Sequence, residues 1–218
     1  MKQNTTTHVL GTLLYVLLTV VLCAADVRAS VAIPVKITIT ADNRYDLFVN
    51  GVYVGSQNNV DSPNGWDVPE TWSVDMPLGA GTIAVAARDD ADLGTGIGLI
   101  AKIVVEGGDT IVTDESWKVS EFGPAGWEAS GFDDAGWMPA FNEGPFDTIP
   151  WSLFAPPISA FVSTGASWIW RGPLTFSNGY GYRNSGGYQF CFFRKRIAIT
   201  GPTPVTGSSW GEVKARFR

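Results

Sequence analysis

The chain has one histidine and two cysteines among its 218 residues, and charged residues make up only 17% of it. His8 and Cys23 both fall in the opening segment, which leaves Cys191 as the only thiol of the body. A Ser-His-Asp or Cys-His arrangement needs an imidazole, so nucleophilic catalysis of those kinds has no base, and there is no G-x-S-x-G elbow. A structural zinc site needs His or several Cys and is equally hard to build. One thiol cannot close an intrachain disulfide, so the fold must be held by its core. Flanked by Phe190 and Phe192, Cys191 reads as a small buried hydrophobe rather than a reactive group.

Positive charge is also scarce, with 15 Lys and Arg against 21 Asp and Glu. The opening residues read as a secretory signal. Lys2 and His8 precede an apolar run over residues 9–25, short for a membrane span and followed by small-residue cleavage positions after Ala25 or Ala29. Cleavage after Ala29 removes Lys2, Asp26 and Arg28 and leaves 13 basic against 20 acidic residues, a net charge of −7. Such a surface is a poor match for nucleic acid or for anionic membranes. The expectation is a secreted, extracellular product: residues 1–29 as signal, 30–200 as the folded body, and 201–218, rich in Pro, Gly and Ser, as a tail or linker.

Turn formers and indoles are plentiful: 25 Gly, 13 Pro and 9 Trp. Without an extended 3.6-residue apolar period, the body reads as all-β, with short strands and breakers every eight to twelve residues or so. Candidate strands cover residues 35–40, 45–49, 52–54, 72–76, 82–88, 99–105, 110–113 and 117–120. Tyr45, Leu47 and Val49 alternate with Asp46, Phe48 and Asn50, the period of two expected of a strand with one buried face. Asn50-Gly51 then supplies two residues that tolerate positive φ, so a type I′ hairpin is expected there. From residue 121 to 187 strands thin out, and long loops carrying aromatics need Trp burial to hold them.

Strand parity locates a candidate site. If successive strands run antiparallel, the loops over residues 41–44, 56–70 and 89–96 converge on one rim, and the Asn50-Gly51 turn falls at the opposite end. That rim gathers Asp42, Asn43 and Arg44, then Asn58, Asn59, Asp61, Asn64, Trp66 and Asp67, then Asp89, Asp90 and Asp92. Sugar hydroxyls require fixed planar donors and acceptors, and the apolar face of a pyranose stacks on an indole, so Asn58, Asn59, Asp61, Trp66 and Asp67 are the candidate carbohydrate ligands. Against this stands the ordinary use of Asx residues in turns, where they accept local backbone hydrogen bonds. Asp42 and Asn43 fit that structural role best.

Several motifs in one order carry a resemblance: TADNRYDLFVNGVYVG, PLGAGTIAVAARD, GIGLIAKI, TIVTDESWKVS, GWEASGFDDAGWMPA, and ASWIW with FRKRI. Together, over residues 35–200, they resemble the galactose-binding-like jelly-roll modules attached to bacterial α-L-rhamnosidases. The resemblance implies an antiparallel β-sandwich and a glycan or polysaccharide partner. It also implies extracellular calcium, for which the acidic loop offers Asp89, Asp90 and Asp92 as hard oxygen ligands, although no EF-hand pattern is present. One departure concerns order: ASWIW and FRKRI come last here, whereas in those modules they precede the hairpin. Either the domain is circularly permuted, with residues 188–199 supplying a strand beside 35–40, or a second copy begins at Ala166. Permutation is expected to bury Trp168, Trp170, Phe190, Phe192 and Phe193, since the termini of a sandwich are often neighbours.

Asp133-Asp134 invites a catalytic reading, but adjacent residues point apart, and glycosidase carboxylates must face each other across a cleft. Phe132 and Trp137 are instead expected to pin this loop while Asp133 caps a turn. The chain therefore reads as a non-catalytic carbohydrate-binding module, or alternatively as a structural or adhesive extracellular sandwich without a glycan ligand.

Overall fold

The computed structural model describes residues 31–58, 65–89, 96–153, 158–177, 181–184 and 190–201. Strand β1 (Ala32–Asp42) sets the pattern: Ile33, Val35, Ile37, Ile39 and Ala41 are buried, while Lys36 and Thr38 face outward. β-Branched residues at alternate positions suit a pleated, half-buried surface. The same alternation builds β2 (Arg44–Val49) and β4 (Glu70–Pro77), whereas β3 (Val52–Ser56) is exposed at Val52 and Tyr53, and β5 (Gly79–Arg88) and β6 (Gly98–Val105) each contain a continuous buried run. Shorter strands follow: β7 (Thr110–Val112), β8 (Lys118–Ser120), β9 (Met138–Pro139), β10 (Phe141–Pro145) and β11 (Ser167–Trp170). The last are β12 (Leu174–Ser177), β13 (Gly181–Asn184) and β14 (Phe190–Ile199). Among the described residues, helix is limited to three single 3₁₀ turns, at Gly65–Asp67, Trp151–Leu153 and Ser159–Phe161.

The strands form two antiparallel sheets, the β-sandwich expected from the sequence. The first runs β10-β11-β6-β1-β4 with β7 also beside β6; the second runs β3-β2-β5-β14-β8-β9, and β12 pairs with β13 apart from both. The inward faces enclose one core that includes Ile37, Leu47, Val85, Leu99, Trp117, Trp170, Cys191 and Phe193. At roughly 1.5–3 kcal/mol for each fully buried large aliphatic or Phe side chain, this core accounts for cohesion without a disulfide. Cys191 is free and buried, and burial pushes its thiol up to about 12. The hairpin between β2 and β3 has the expected turn, with φ of 51° at Asn50 and 84° at Gly51, a conformation that favours this dipeptide.

One strand placement differs from the expectation. β14 does not lie beside β1, whose neighbours are β4 and β6; it lies in the second sheet between β5 and β8. Cys191, Phe193, Ile197 and Ile199 enter the shared core from that sheet, opposite β1 rather than alongside it. Hydrophobic alternation specifies which face of a strand is buried, not which neighbour it pairs with.

Each sheet's outer face is covered over only part of its area. Trp66, Trp151, Ile158, Phe161, Ala166 and Trp168 form a second apolar cluster with Ile100, an outward residue of β6. Trp151 stacks on Trp168 at 4.3 Å between ring centres, and Trp66 meets Trp168 edge-on at 6.2 Å. Gly98 is required beneath them, since a Cβ there would stand 2.8 Å from both Trp151 and Trp168. On the second sheet the loop over residues 121–137 lies across Phe48 and Phe192, both of which Trp127 touches edge-on.

Candidate functional site

Register brings the described ends of the three anticipated loops to one end of the sandwich. Asp42 pairs with Gly98, Ile39 with Glu70, Arg44 with Arg88 and Asp46 with Ser56. The Asn50-Gly51 turn lies at the other end, where Val49 pairs with Ile83 and Ile199 with Gly79.

Polar side chains knit this rim together. Gln57, itself buried, accepts from the Ala41 amide at 3.0 Å and donates to the Asn43 carbonyl at 2.7 Å. Glu70 accepts from the Asn58 amide at 2.5 Å and from the Tyr45 hydroxyl, which in turn accepts from the Trp72 indole at 2.8 Å. Burial and the Glu70 hydrogen bond hold the Tyr45 phenol well above its ordinary range, so it stays a donor. Asp42 accepts from the Trp151 indole at 3.1 Å and from the Asn43 amide group at 2.9 Å. Burial, with a smaller contribution from the charge of Asp89, pushes the Asp42 carboxyl up to about 8. Asp42 thus fastens the rim to the tryptophan cover, a structural role but a long-range one, where its sequence context suggested a tie within its own turn.

The described residues include three of the five candidate carbohydrate ligands, Asn58, Trp66 and Asp67. Asn58 is exposed and Asp67 half-buried on the 3₁₀ turn, while Asn59, Asp61 and Asn64 lie outside the described residues. Trp66 is a correction: it is 4% exposed and packed in the outer cluster, so its faces meet protein and offer no platform to a pyranose. An indole in an Asn- and Asp-rich loop has the composition of a binding residue, but the apolar cover of the first sheet claims it. Of the candidate calcium ligands, Asp89 is half-buried at the end of β5, and Asp90 and Asp92 lie outside the described residues. Among the described residues no group of three or more His, Cys, Asp or Glu is placed to hold a metal.

At the same end, on the outer face of the second sheet, an open trough of ≈ 180 Å³ is lined by Arg44, Asp46, Ser56, Gln57, Arg88 and Phe190, among others. Its shape follows from register. Across β2, β5 and β14 the outward rows read Arg44, Arg88, Phe190 and then Asp46, Ala86, Phe192. Ala86 on the central strand is small, so the larger flanking side chains stand above it as walls. Phe190 and Phe192, expected in the core, are a correction: they alternate with the inward Cys191 and Phe193 and so fall on the outer face, where Phe190 is 44% exposed with the Arg88 guanidinium 5.9 Å from its ring centre. An exposed ring beside guanidinium, carboxylate and hydroxyl groups can stack on the apolar face of a sugar while bonding its hydroxyls. Arg44 was in view from the sequence. Asp46, Ser56 and Arg88, which meet Arg44 through the β2-β3 and β2-β5 pairings, were not, and Phe190 joins them because β14 pairs with β5; period-two alternation marks such residues as outward without saying what they face.

The remaining expectations for the long loop hold. Asp133 accepts from the Ala135 amide at 3.0 Å and Phe132 meets Trp137 edge-on at 5.7 Å. Trp117, Trp127, Trp151, Trp168 and Trp170 are all buried. Asp134 has a role the sequence did not reveal: it is buried and pairs with Arg194 at 3.0 Å and Arg196 at 3.2 Å.

No protein-family model and no curated protein matches this chain. Solved structures that align with it include a lectin from Pleurotus ostreatus in complex with GalNAc, at 30% identity over 58% of this chain and 36% of that one, TM-score 0.46. The apo form of Pleurotus ostreatus lectin aligns at 23% identity over 61% and 37%, TM-score 0.49. Streptomyces avermitilis α-L-rhamnosidase complexed with L-rhamnose aligns at 28% identity over 57% and 12%, TM-score 0.46. The chain therefore spans well under half the length of each.

Proposed function

We propose that this chain is a secreted, non-catalytic carbohydrate-binding module that holds a single neutral sugar ring in the trough on the second sheet. The observation that carries the reading is the placement of Phe190 beside Arg44, Asp46, Ser56 and Arg88 over the small Ala86 floor. At ≈ 180 Å³ the trough is smaller than the roughly 300–1,000 Å³ typical of enclosed ligand pockets. It suits one ring resting on a surface, a geometry of weak reversible binding. Non-catalysis is supported by the want of an imidazole outside the opening segment and by Asp134 being paired with arginines. Secretion is supported by the apolar opening run with its small-residue cleavage positions.

Glycan-array screening followed by calorimetry tests the reading. Phe190→Ala and Asp46→Ala should each weaken binding at least about tenfold, the loss of one good contact, while lowering thermal unfolding by no more than about 4 °C. Absence of any glycan ligand, or binding indifferent to both substitutions, would sink it. The alternative, an adhesive sandwich, is favoured by one feature: β3 is the edge strand of the second sheet and exposes Val52 and Tyr53. An unpaired edge with apolar side chains is a template for association, which sedimentation would show as glycan-independent self-association lost on Tyr53→Lys.

A further inference from the structure

Beyond the covering loop, the outer face of the second sheet carries another depression, of ≈ 170 Å³, lined by Ser116, Lys118, Asp134, Arg194, Lys195 and Arg196. Four of these six side chains are cationic in a protein whose net charge is −6. Register accounts for three of them: Arg194 pairs with Lys118 across β14 and β8, and Arg196 lies two residues further along β14 on the same side, whereas Lys195 has the opposite parity and reaches the lining by its hydrogen bond to the Ser116 hydroxyl. The acidic groups facing them are Asp134, shared by Arg194 and Arg196, and Asp114, which reaches Lys195 only through the Ser116 hydroxyl. The cations therefore outnumber the carboxylates two to one.

Arg194 supplies a second, independent observation. It is wholly buried, with Nε donating to Asp134 at 3.0 Å and Nη1 donating to the carbonyls of Trp127 and Ala129. Its Nη2, equally buried, has no hydrogen-bond acceptor among the described residues. A buried guanidinium nitrogen without a partner is costly and rare in folded proteins. Arg196 stands at the mouth with its side chain 58% exposed, donating to Asp134 and the Phe132 carbonyl, and Lys118 donates to the Trp137 carbonyl at 3.3 Å.

We propose that this depression is a binding site for a tetrahedral oxyanion, a sulfate or phosphate group, held by Lys118, Lys195 and Arg196 against the wall formed by Arg194. Ammonium groups retain donors beyond the one each uses here, and a guanidinium presents five. A group with four oxygens can accept from several such donors at once, whereas a carboxylate has two oxygens to share among them. The site is separate from the trough, so either can fail without the other.

Calorimetry of the whole chain with sodium sulfate and with sodium phosphate, against sodium chloride at matched ionic strength, tests the proposal. One sulfate or phosphate per chain is expected to bind where chloride does not. Lys118→Ala and Arg196→Ala should each weaken binding about tenfold, the loss of one charge-assisted hydrogen bond, and Lys36→Ala on the first sheet should leave it unchanged. Should Arg196→Ala fail to fold, Arg196→Lys, which keeps the charge but loses the fork, replaces it and should still weaken binding. A parallel titration with a sulfated polysaccharide separates the sources. Binding of the free ion identifies the group itself as ligand, and binding of the polymer alone, lost on Lys118→Ala, identifies a group carried on a glycan. No binding of either, or binding that Lys36→Ala weakens as much as Lys118→Ala, overturns the proposal.

Discussion

The two outer faces of the sandwich start from similar strands and end differently. On the first sheet, residues 146–168 bring Trp151, Phe161 and Trp168 over the rim half, where Gly98, Ile100 and Asp42 lie, and close it with stacked indoles. On the second sheet, residues 121–137 cover the hairpin half, where Trp127 rests on Phe48 and the Ala129 Cα would stand 3.3 Å from a Cβ at Gly51. The rim half of that sheet is left open, with Arg44, Asp46, Arg88 and Phe190 around Ala86. A sheet needs its outer face covered only where outward residues are apolar; where they are charged, water or a ligand can take that place. The covered half holds structure and the open half is available for recognition.

That contrast can be broken by substitution, and the largest effect belongs to the closed face. Trp168→Ala should destabilise the protein by about 4 kcal/mol, the range for deleting a buried aromatic, and leave sugar binding at the trough intact in whatever fraction remains folded. Denaturant unfolding beside glycan calorimetry checks this; equal losses of both would merge the two faces into one functional unit.

On the second face the firmest point is the arginine anchor of its cover. Asp134→Ala leaves Arg194 buried without its carboxylate and should cost about 3 kcal/mol, as breaking one partner of a buried pair does. Lost near-ultraviolet dichroism of Trp127 and Trp137 would accompany it. Next comes Gly98→Ala, whose Cβ would press on Trp151 and Trp168. Overpacking of this kind costs about 2 kcal/mol, and the same substitution at Gly136, where a Cβ would meet nothing within 4 Å, should be nearly silent.

The fourth prediction concerns pH. Asp42 is raised from an ordinary 3.8 to about 8, so between those values the folded protein holds a proton that the unfolded chain has released. Stability should therefore fall as pH rises from about 4 to about 8, with a slope of up to about 1.4 kcal/mol per unit. Asp42→Asn should flatten the profile while keeping an acceptor for the Trp151 indole. Thermal melts across that range, in chelator to exclude bound cations, provide the measurement, and a flat profile for the unsubstituted protein would count against the assignment.

The smallest effect on stability belongs to the open face. Phe190→Ala should cost under about 1 kcal/mol, since the ring is only part-buried, yet it should show the largest loss of glycan affinity. A stability loss approaching that of Trp168→Ala would mean that Phe190 is core and the trough has no recognition surface.

How far these features could be read beforehand depends on sequence separation. The Asn50-Gly51 turn, the alternation of Tyr45, Leu47 and Val49, and the arrival of three loops at one rim follow from local rules of φ, period and strand direction. The Asp133 cap is equally local. Asp134 meets Arg194 across 60 residues and Trp151 meets Asp42 across 109, and no local pattern encodes such meetings. Trp66 shows the same limit from the other side, since nothing in its loop announces that Trp168 will bury it.

The sequence by itself determined the all-β class, the hairpin and its turn, the dependence on an apolar core, and the end of the sandwich where polar loops gather. Those are consequences of side-chain period and of the few residues that tolerate positive φ. Tertiary structure alone decided that β14 lies against β5, and with it which outward residues face one another. Strand pairing is set by how two whole faces bury together, so the trough around Ala86 and the cationic depression around Arg194 exist only once the sheets are assembled.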